Sequence, residues 1–245
     1  MGLLFLDGLP LTLFHGNRQV NLADFFNCSG SYDGEIIIEG DLANVKHVGS
    51  VMSQGKLIIE GNIGVHTGAA ISGGEIIIEG DAADWLAPEI IGGRVIVKGN
   101  AGHMVGSGYR GSSVGMQGGE IIVHGNVKNE TGHVMRRGLI AIGGNAGDFT
   151  GVNMLAGTII VLGEMGIRAG AGMKRGSIIS QTQASILPTF TRSCEYQPTF
   201  LKHYFKYLKS LGLPIDDELI NGTFVRWCGD SVELNRGELL LYASS

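Results

Sequence analysis

The sequence predicts an all-β protein, a right-handed parallel β-helix (solenoid) with an N-terminal cap and a C-terminal α/β extension. A strand-length phrase, clearest as GEIIIEGD from Gly74 to Asp81, occurs eight times along the 245 residues. Successive copies start 21, 19, 19, 26, 19, 19 and 19 residues apart. A fixed period in this range is typical of stacked repeats, which bury their apolar faces only against their neighbours. The copies open at Gly34, Gly55, Gly74, Gly93, Gly119, Gly138, Gly157 and Gly176.

The length of one repeat indicates which kind of solenoid to expect. A repeat of 19 residues leaves little room for a strand–helix–strand crossover. The Gly, Asn and Asp residues between the strands favour turns instead. The crossover rule then favours a right-handed parallel β-helix, and the six-residue sub-period of a left-handed solenoid is missing.

Alternation within each copy separates an inner from an outer face. The second and fourth residues after the opening Gly are aliphatic in almost every copy, and strand side chains at these positions share one face. We assign that face to the interior. The sixth position is Gly in seven copies, which suits a corner with no room for a Cβ. A further internal ladder is predicted three residues before each following Gly, at Met52, Ile71, Ile90, Met116, Met135, Met154 and Met173.

The first and fifth positions of the copies carry charges on the outer face. Signs alternate at the first position, which predicts cross-strand ion pairs between stacked strands. The fifth position instead begins with a row of like charge, which is either solvated or faces basic residues of another chain. The first-position residues are Glu35, Lys56, Glu75, Arg94 and Glu120, and the fifth-position carboxylates are Glu39, Glu60 and Glu79.

The third position lies between these charges and is almost always Ile. An apolar row of this size marks an interaction surface, because it is not expected to remain in water. Either the tail of the chain or other subunits cover it, and one amphipathic helix is not expected to cover eight strands. The candidate contact residues are Ile77, Ile96 and Ile122.

An insertion of seven residues interrupts the period between Gly93 and Gly119. Insertions into solenoids form loops on one face, often a binding face, so residues 101–118 are a second candidate contact region. Its candidate residues are His103, Tyr109 and Arg110. The segment also contains a formal GxGxxG, but a dinucleotide site would need a helix after it, and the next predicted element is a strand.

The segments outside the repeats give the predicted domain organisation. Residues 1–33 form the N-terminal cap, 34–183 the β-helix of seven to eight coils, and 184–245 the C-terminal helix and strand extension. In the extension, Pro198 opens a helix that runs to about Leu211 and stops at Gly212. The phrases FVRWCGD and GELLLY after it predict two strands.

Composition and motifs exclude several classes of function. A net charge of −5 argues against a nucleic-acid surface. Three scattered Cys, the lack of a signal peptide and the lack of an apolar span favour a reducing cytoplasm without membrane insertion. His47 and His66 are predicted to stack on adjacent coils, but two His make a poor metal site. We therefore predict no catalytic and no metal-binding residues, and the sequence does not identify a cofactor-binding residue.

The repeats resemble the GXGXG β-helix domain of the glutamate synthase large subunit. Over nearly its whole length the chain is similar to the β-helix subunit of formylmethanofuran dehydrogenase and to the β-helix subunit of the bacterial formyltransferase/hydrolase complex. The segments LPTFTRSCEYQPTFL, from Leu187 to Leu201, and GDSVELNRGELLLY, from Gly229 to Tyr242, resemble the bacterial form more closely.

The resemblance implies a cytoplasmic scaffold subunit in one-carbon metabolism. The bacterial complex moves a formyl group from formyl-tetrahydromethanopterin to methanofuran and hydrolyses formylmethanofuran to formate. Its active sites belong to the hydrolase and formyltransferase subunits, so methanofuran, tetrahydromethanopterin and the hydrolase metal are expected there and not on this chain. A hetero-oligomer with a further subunit and two copies of each is expected.

Three alternatives remain open from the sequence. The first is the corresponding β-helix subunit of an archaeal-type formylmethanofuran dehydrogenase, which carries tungsten or molybdenum on another subunit. The second is a self-assembling β-helix structural protein of the bactofilin kind. The third is a free-standing enzyme with an active groove along the solenoid, as in polysaccharide lyases.

Overall fold

The computed structural model describes residues 5–6, 9–10, 12–27, 29–30 and 33–243. The chain divides into two compact units, residues 1–36 and 37–245. The predicted domain boundaries at 33 and 183, and the role of residues 1–33 as a cap, stay predictions.

The N-terminal unit contains short antiparallel strands. Strand β1 pairs with β2, and β3 forms a hairpin with β4. A 3-10 turn at Leu22–Asp24 follows, in which the Asp24 carboxylate accepts the Asn21 backbone N–H at 3.3 Å. The strands are β1 Phe5–Leu6, β2 Leu9–Pro10, β3 Thr12–His15 and β4 Arg18–Asn21.

One parallel strand comes from each copy of the repeated phrase, so the predicted β-solenoid is confirmed. The strands stack in register, with Ile76 opposite Val95 and Val95 opposite Ile121. The strands are β5 Glu35–Glu39, β6 Lys56–Glu60, β7 Glu75–Ile78, β8 Arg94–Val97, β9 Glu120–Val123, β10 Leu139–Ile142, β11 Thr158–Val161 and β12 Arg175–Ser180.

The interior is built from the predicted positions. Ile76, Val95 and Ile121 are fully buried, as is the ladder position three residues before each Gly from Ile71 to Met173. Glycine is required at the sixth position for a more specific reason than the predicted inward corner. A Cβ on Gly99 would lie 2.2 Å from Asp81 Oδ1 and 2.9 Å from the Gly80 carbonyl carbon, so the preceding coil excludes a side chain there.

A corner of each coil uses the left-handed backbone region at the same place, although the residues are not glycine. Such conformations are uncommon, and here the stacked coils hold them. The His47 N–H donates to the Val65 carbonyl at 3.1 Å, and the Trp85 N–H donates to the His103 carbonyl at 2.8 Å. These residues, with φ between 59° and 64°, are His47, His66, Trp85, Met104, Glu130, Phe149 and Arg168.

The C-terminal extension continues the main sheet and then folds back along it. Gly237 lies opposite Gly176 in a parallel pair, so GELLLY is a ninth copy of the phrase. The predicted helix is α1, where Pro198 is the residue before the first turn, and both predicted strands are present. Sequence reasoning missed β13 and α2. The elements are β13 Thr191–Tyr196, α1 Thr199–Ser210, α2 Asp217–Ile220, β14 Phe224–Gly229 and β15 Arg236–Tyr242.

The extension covers the third-position row over the later coils. Ile96 is 6% exposed and Ile122 is fully buried, and both belong to one hydrophobic cluster with Phe205 and Leu208 of α1. The cluster combines the outer face of the coils with the tail: Ile96, Ile122, Leu139, Ala141, Ile160, Leu162, Ile179, Leu201, Phe205, Leu208, Leu213, Ile215, Leu219, Ile220, Phe224 and Leu240.

Candidate partner-binding surfaces

The third-position row is uncovered over the first three coils. We call Ile37, Ile58 and Ile77 the open strip. Ile37 is 51% exposed, and Ile58 and Ile77 are half-buried. The predicted contact residue Ile77 therefore lies on an accessible surface. Ile96 and Ile122 do not, because the chain's own tail covers that part of the row, which is one of the two predicted alternatives.

Ion pairs of the first-position ladder border the row on one side. Lys56, Glu75, Arg94 and Glu120 lie opposite one another on successive strands, as predicted. Arg94 bridges two carboxylates, with N–O distances of 3.2 Å to Glu75 and 2.9 Å to Glu120. These contacts are half-exposed, so each contributes only modestly to stability.

Tyr207 of α1 meets this ladder at the border between covered and open coils. Its hydroxyl donates to Glu120 Oε2 at 2.5 Å, and the Arg94 guanidinium lies 5.8 Å from the centre of its ring. Burial, followed by the hydrogen bond to Glu120, raises the pKa of Tyr207 to about 12. The hydroxyl therefore remains a donor at neutral pH and fixes the end of α1 at Glu120 of the fifth coil.

Carboxylates of the fifth position border the row on its other side. Glu39, Glu60 and Glu79 are all exposed. Lys98 follows them, and its Nζ lies 3.5 Å from Nε2 of His124 in the next coil. Burial and the nearby Lys98 lower the pKa of His124, so this imidazole is predominantly neutral at pH 7. His124 occupies the fifth position of its copy, in line with Lys98.

A second surface lies at the left-handed corner of the early coils. The rings of His47 and His66 stack with centroids 4.8 Å apart and an interplanar angle of 12°, which confirms their predicted stacking. Trp85 continues the ladder on the next coil, 6.1 Å from His66 between ring centroids. We call these three residues and Tyr109 the aromatic corner.

The insertion loop is attached to the aromatic corner by Tyr109. The Tyr109 hydroxyl lies 3.1 Å from Nδ1 of His66, and its ring stacks on Trp85 with centroids 5.0 Å apart. Its backbone N–H donates to Glu89 Oε1 at 3.1 Å. Burial, then the electrostatic effect of the neighbouring His47 and Lys46, lowers the pKa of His66. Burial and Glu89 raise the pKa of Tyr109. A neutral imidazole that accepts the phenol proton fits both shifts.

The other two predicted loop residues have different surroundings. Arg110 is exposed beside Tyr109 and stays a candidate partner contact. His103 belongs to a polar ladder between coils. Its backbone N–H donates to Asp84 Oδ1 at 2.8 Å, and its Nδ1 accepts the Asn129 N–H at 3.2 Å. His103 therefore has a structural role in the stack, whether or not a partner also touches it.

A longer ladder of Asn and Asp runs along the stack directly after the strands. The side-chain oxygen of Asn62 accepts the Asp81 N–H at 2.9 Å, and Asn145 accepts the Glu164 N–H at 2.8 Å. Sequence reasoning missed this ladder, although the seventh position of the phrase carries the signal. Its members are Asn62, Asp81, Asn100, Asn126, Asn145 and Glu164.

The residues that the structure describes were also compared with two further kinds of feature, metal-binding groups and membrane-spanning helices. Within those residues, no group of three His, Cys, Asp or Glu side chains is arranged to hold a metal ion. Over the same part of the chain, no helix is long and apolar enough to cross a membrane. Cys194 and Cys228 are free thiols.

Sequence comparison connects part of the chain to curated proteins, while no protein-family model matches it. It is 41% identical over 61 residues to one subunit of tungsten-containing formylmethanofuran dehydrogenase 2 from Methanothermobacter wolfeii. It is 42% identical over 57 residues to the corresponding subunit of molybdenum-containing formylmethanofuran dehydrogenase 1 from Methanothermobacter marburgensis. The matches span 23% and 14% of these relatives, so the chain covers less than a quarter of the length of either.

Structural comparison extends the similarity over almost the whole chain. The fold defines a parallel β-solenoid protein. It superposes with a TM-score of 0.85 and 30% identity on a chain of the formyltransferase/hydrolase complex from Methylorubrum extorquens, a crystal structure in complex with methylofuran. The match covers 95% of this chain and 87% of that chain. This protein therefore belongs to the family of β-helix subunits shared by that complex and the formylmethanofuran dehydrogenases.

Proposed function

We propose that this chain is the β-solenoid scaffold subunit of a cytoplasmic formyltransferase/hydrolase complex. That complex transfers the formyl group of formyl-tetrahydromethanopterin to methanofuran and hydrolyses formylmethanofuran to formate. The observation that carries the proposal is the match to a chain of such a complex over 95% of this chain and 87% of the other.

The distribution of side chains supports a scaffold role. The buried residues from Ile76 to Met173 are mostly aliphatic and Met side chains, with a few hydroxyls such as Thr131 and Thr150, and this composition suits packing between coils. The polar groups between coils, such as Asp84 and Asn129, are hydrogen-bonded within the stack. Hydrolysis of a formyl amide needs an activated water, and transfer needs two bound cofactors with their reacting atoms close together. We assign both to partner subunits.

The proposed partners are a metal-dependent hydrolase, a formyltransferase and a further subunit, in an assembly with two copies of each. Methanofuran, tetrahydromethanopterin and the hydrolase metal would bind to those subunits. The open strip and the insertion loop, with Arg110 at its surface, are the proposed contact regions on this chain.

A second candidate is the β-helix subunit of a tungsten- or molybdenum-containing formylmethanofuran dehydrogenase. The identity of 41% over 61 residues with a subunit of the tungsten enzyme favours it. The two candidates differ in their partners, since only the dehydrogenase would carry tungsten or molybdenum.

Purification of the chain from its own host tests both candidates. We expect hydrolase and formyltransferase subunits to co-purify, without stoichiometric tungsten or molybdenum by elemental analysis. The isolated, metal-replete chain should release no formate from formylmethanofuran, and turnover should appear when the partner subunits are added. Formate release by the isolated chain would contradict the scaffold role. In the complex, His47→Ala, His66→Ala and His103→Ala should each retain most of the turnover.

A further inference from the structure

The open strip combines an apolar centre with a charged rim, as protein–protein interfaces do. Ile37, Ile58 and Ile77 form an apolar centre with charged residues on both sides. Over the later coils, where the tail covers the row, the flanking first and fifth positions include Leu139 and Leu162. A polar rim around an apolar centre is typical of protein–protein contacts that form after folding, whereas apolar flanks are typical of a permanent core.

The dimensions of the open strip fit one helix. Its three strands are spaced about 4.8 Å apart, so its outer strands are about 10 Å apart. A helix with its side chains is about 10–12 Å wide. On the same row, α1 already shows that a helix packs well against these third-position side chains through Leu201, Phe205 and Leu208.

The carboxylates along one edge of the open strip determine which charge a helix bound there must carry. Glu39, Glu60 and Glu79 project from successive coils at the fifth position, and all are exposed. In the described part of the chain, no cation pairs with Glu39 or Glu60. Three carboxylates at about 4.8 Å spacing attract a row of Lys or Arg on a partner.

This chain's own longest helix is an unsuitable occupant. The apolar face of α1 is already buried against the later coils. Two of its lysines are also engaged, Lys202 with Asn221 at 3.2 Å and Lys209 with Asp217 at 2.9 Å. A second copy would therefore have to unfold its tail to offer that helix.

We propose that the open strip is the docking site for a basic amphipathic helix of a partner subunit. The helix places its apolar side on Ile37, Ile58 and Ile77 and its Lys or Arg residues against Glu39, Glu60 and Glu79. This partner helix covers the early coils in the same way that α1 covers the later coils. This inference rests on the proposed function, because the partner is one of the subunits of that complex.

Carbodiimide cross-linking of the intact complex tests the contact directly, because this reagent joins carboxylates to amines that touch them. We expect Glu60 and its neighbours to be joined to lysines within one helical segment of a partner subunit. Mass spectrometry of the digested complex identifies the linked peptides. A link from Glu60 to a second copy of this chain would overturn the choice of occupant.

Charge reversal measures what the contact contributes. The triple variant Glu39→Lys, Glu60→Lys, Glu79→Lys should reduce the affinity of the complex for this chain at least tenfold at low salt. The double variant Ile58→Lys, Ile77→Lys should act similarly. Matched controls are Glu164→Lys, an exposed carboxylate on a later coil, and Ile91→Lys, an Ile that is 52% exposed outside the strip. Unchanged thermal denaturation of each variant shows that the solenoid remains folded.

The outcomes separate this inference from the proposed function. If wild-type chain brings down no hydrolase or formyltransferase subunit, both are overturned. If the complex forms but the strip variants bind as tightly as the controls, only the docking site is overturned. Loss of binding in the strip variants alone, together with the cross-links, supports both.

Discussion

The early and the late coils of the solenoid share one interior but have different outer faces. From the second coil on, the second and fourth positions are buried in both regions, as at Ile76 and Ile159, whereas Ile36 on the first coil is 40% exposed. On the outside, the late coils carry a helix on residues such as Ile160, whereas the early coils leave Ile37 51% exposed. The repeat therefore specifies the fold, and departures from it at the first, third and fifth positions specify what each coil binds.

The largest expected effect concerns the interior, where the two regions should behave alike. Ile121→Asp buries an unpaired charge at a fully buried position and should unfold the chain, with a loss above about 4 kcal/mol. Ile76→Asp on an early coil should do the same. Soluble yield and far-UV circular dichroism are the measurements.

The control for that prediction is Ile77→Asp, one residue along from Ile76 on the opposite face. It should remain soluble and folded, because Ile77 lies on the open strip. A folded Ile121→Asp protein would contradict the assignment of inner and outer faces.

The next effect should distinguish the two regions. Phe205→Ala removes a ring that is 1% exposed in the cover of the late coils and should reduce the free energy of unfolding by about 3–5 kcal/mol. Ile58→Ala, its counterpart on the open strip, should cost less than about 1.5 kcal/mol because the side chain is already partly in water. Urea denaturation measures both, and equal losses would remove the distinction between covered and open coils.

The sequence predicted the features that recur in every coil, but it could not predict the contacts that occur only once in the fold. The register of the strands, the buried Met ladder and the stacking of His47 on His66 follow from a constant spacing, since equal offsets on adjacent coils must lie side by side. The burial of Ile96 does not follow from spacing, because it depends on where a single helix returns. The sequence showed the apolar face of that helix without showing which coils it would meet.

The anchoring of the insertion loop was unpredictable for the same reason. Tyr109 meets His66 across 43 residues, and nothing periodic connects them. The Asn and Asp ladder differs, because the seventh position of the phrase carries a periodic signal for it. Asp84 and Asn129 form a second such ladder, which also includes His103, and a partner contact by His103 stays a prediction.

Substitutions in the Asn ladder should destabilise early and late coils equally, with a smaller loss in the free energy of unfolding than the substitutions above. Asn62→Ala on an early coil and Asn145→Ala on a late coil each leave one backbone N–H of the next coil without its acceptor. Each should reduce the free energy of unfolding by about 1 kcal/mol. Asn145→Asp keeps the acceptor and is the control. A loss confined to one region would show that the stack itself differs between them.

The smallest expected effect is the part of the pH dependence that His66 contributes in the early coils. Burial, His47 and Lys46 lower the pKa of His66 below its ordinary value of 6.5. As the pH falls below about 6.5, the unfolded chain therefore takes up this proton first, and stability is progressively lost until the pH has passed through the folded pKa. Above that window the neutral imidazole, with its contact to the Tyr109 hydroxyl, contributes in full.

His66→Gln should remove that part of the pH dependence. We expect the difference in thermal stability between wild type and variant to shrink as the pH is lowered from about 7.5 to about 5.5, a range above the carboxylate titrations. In a Trp227→Phe background, fluorescence of Trp85, which stacks on Tyr109, reports the state of the aromatic corner in the same experiment. His203→Gln, at an exposed position of α1, is the matched control and should leave the difference constant. Parallel curves for wild type and His66→Gln would mean that the corner holds the insertion loop equally well with a charged imidazole.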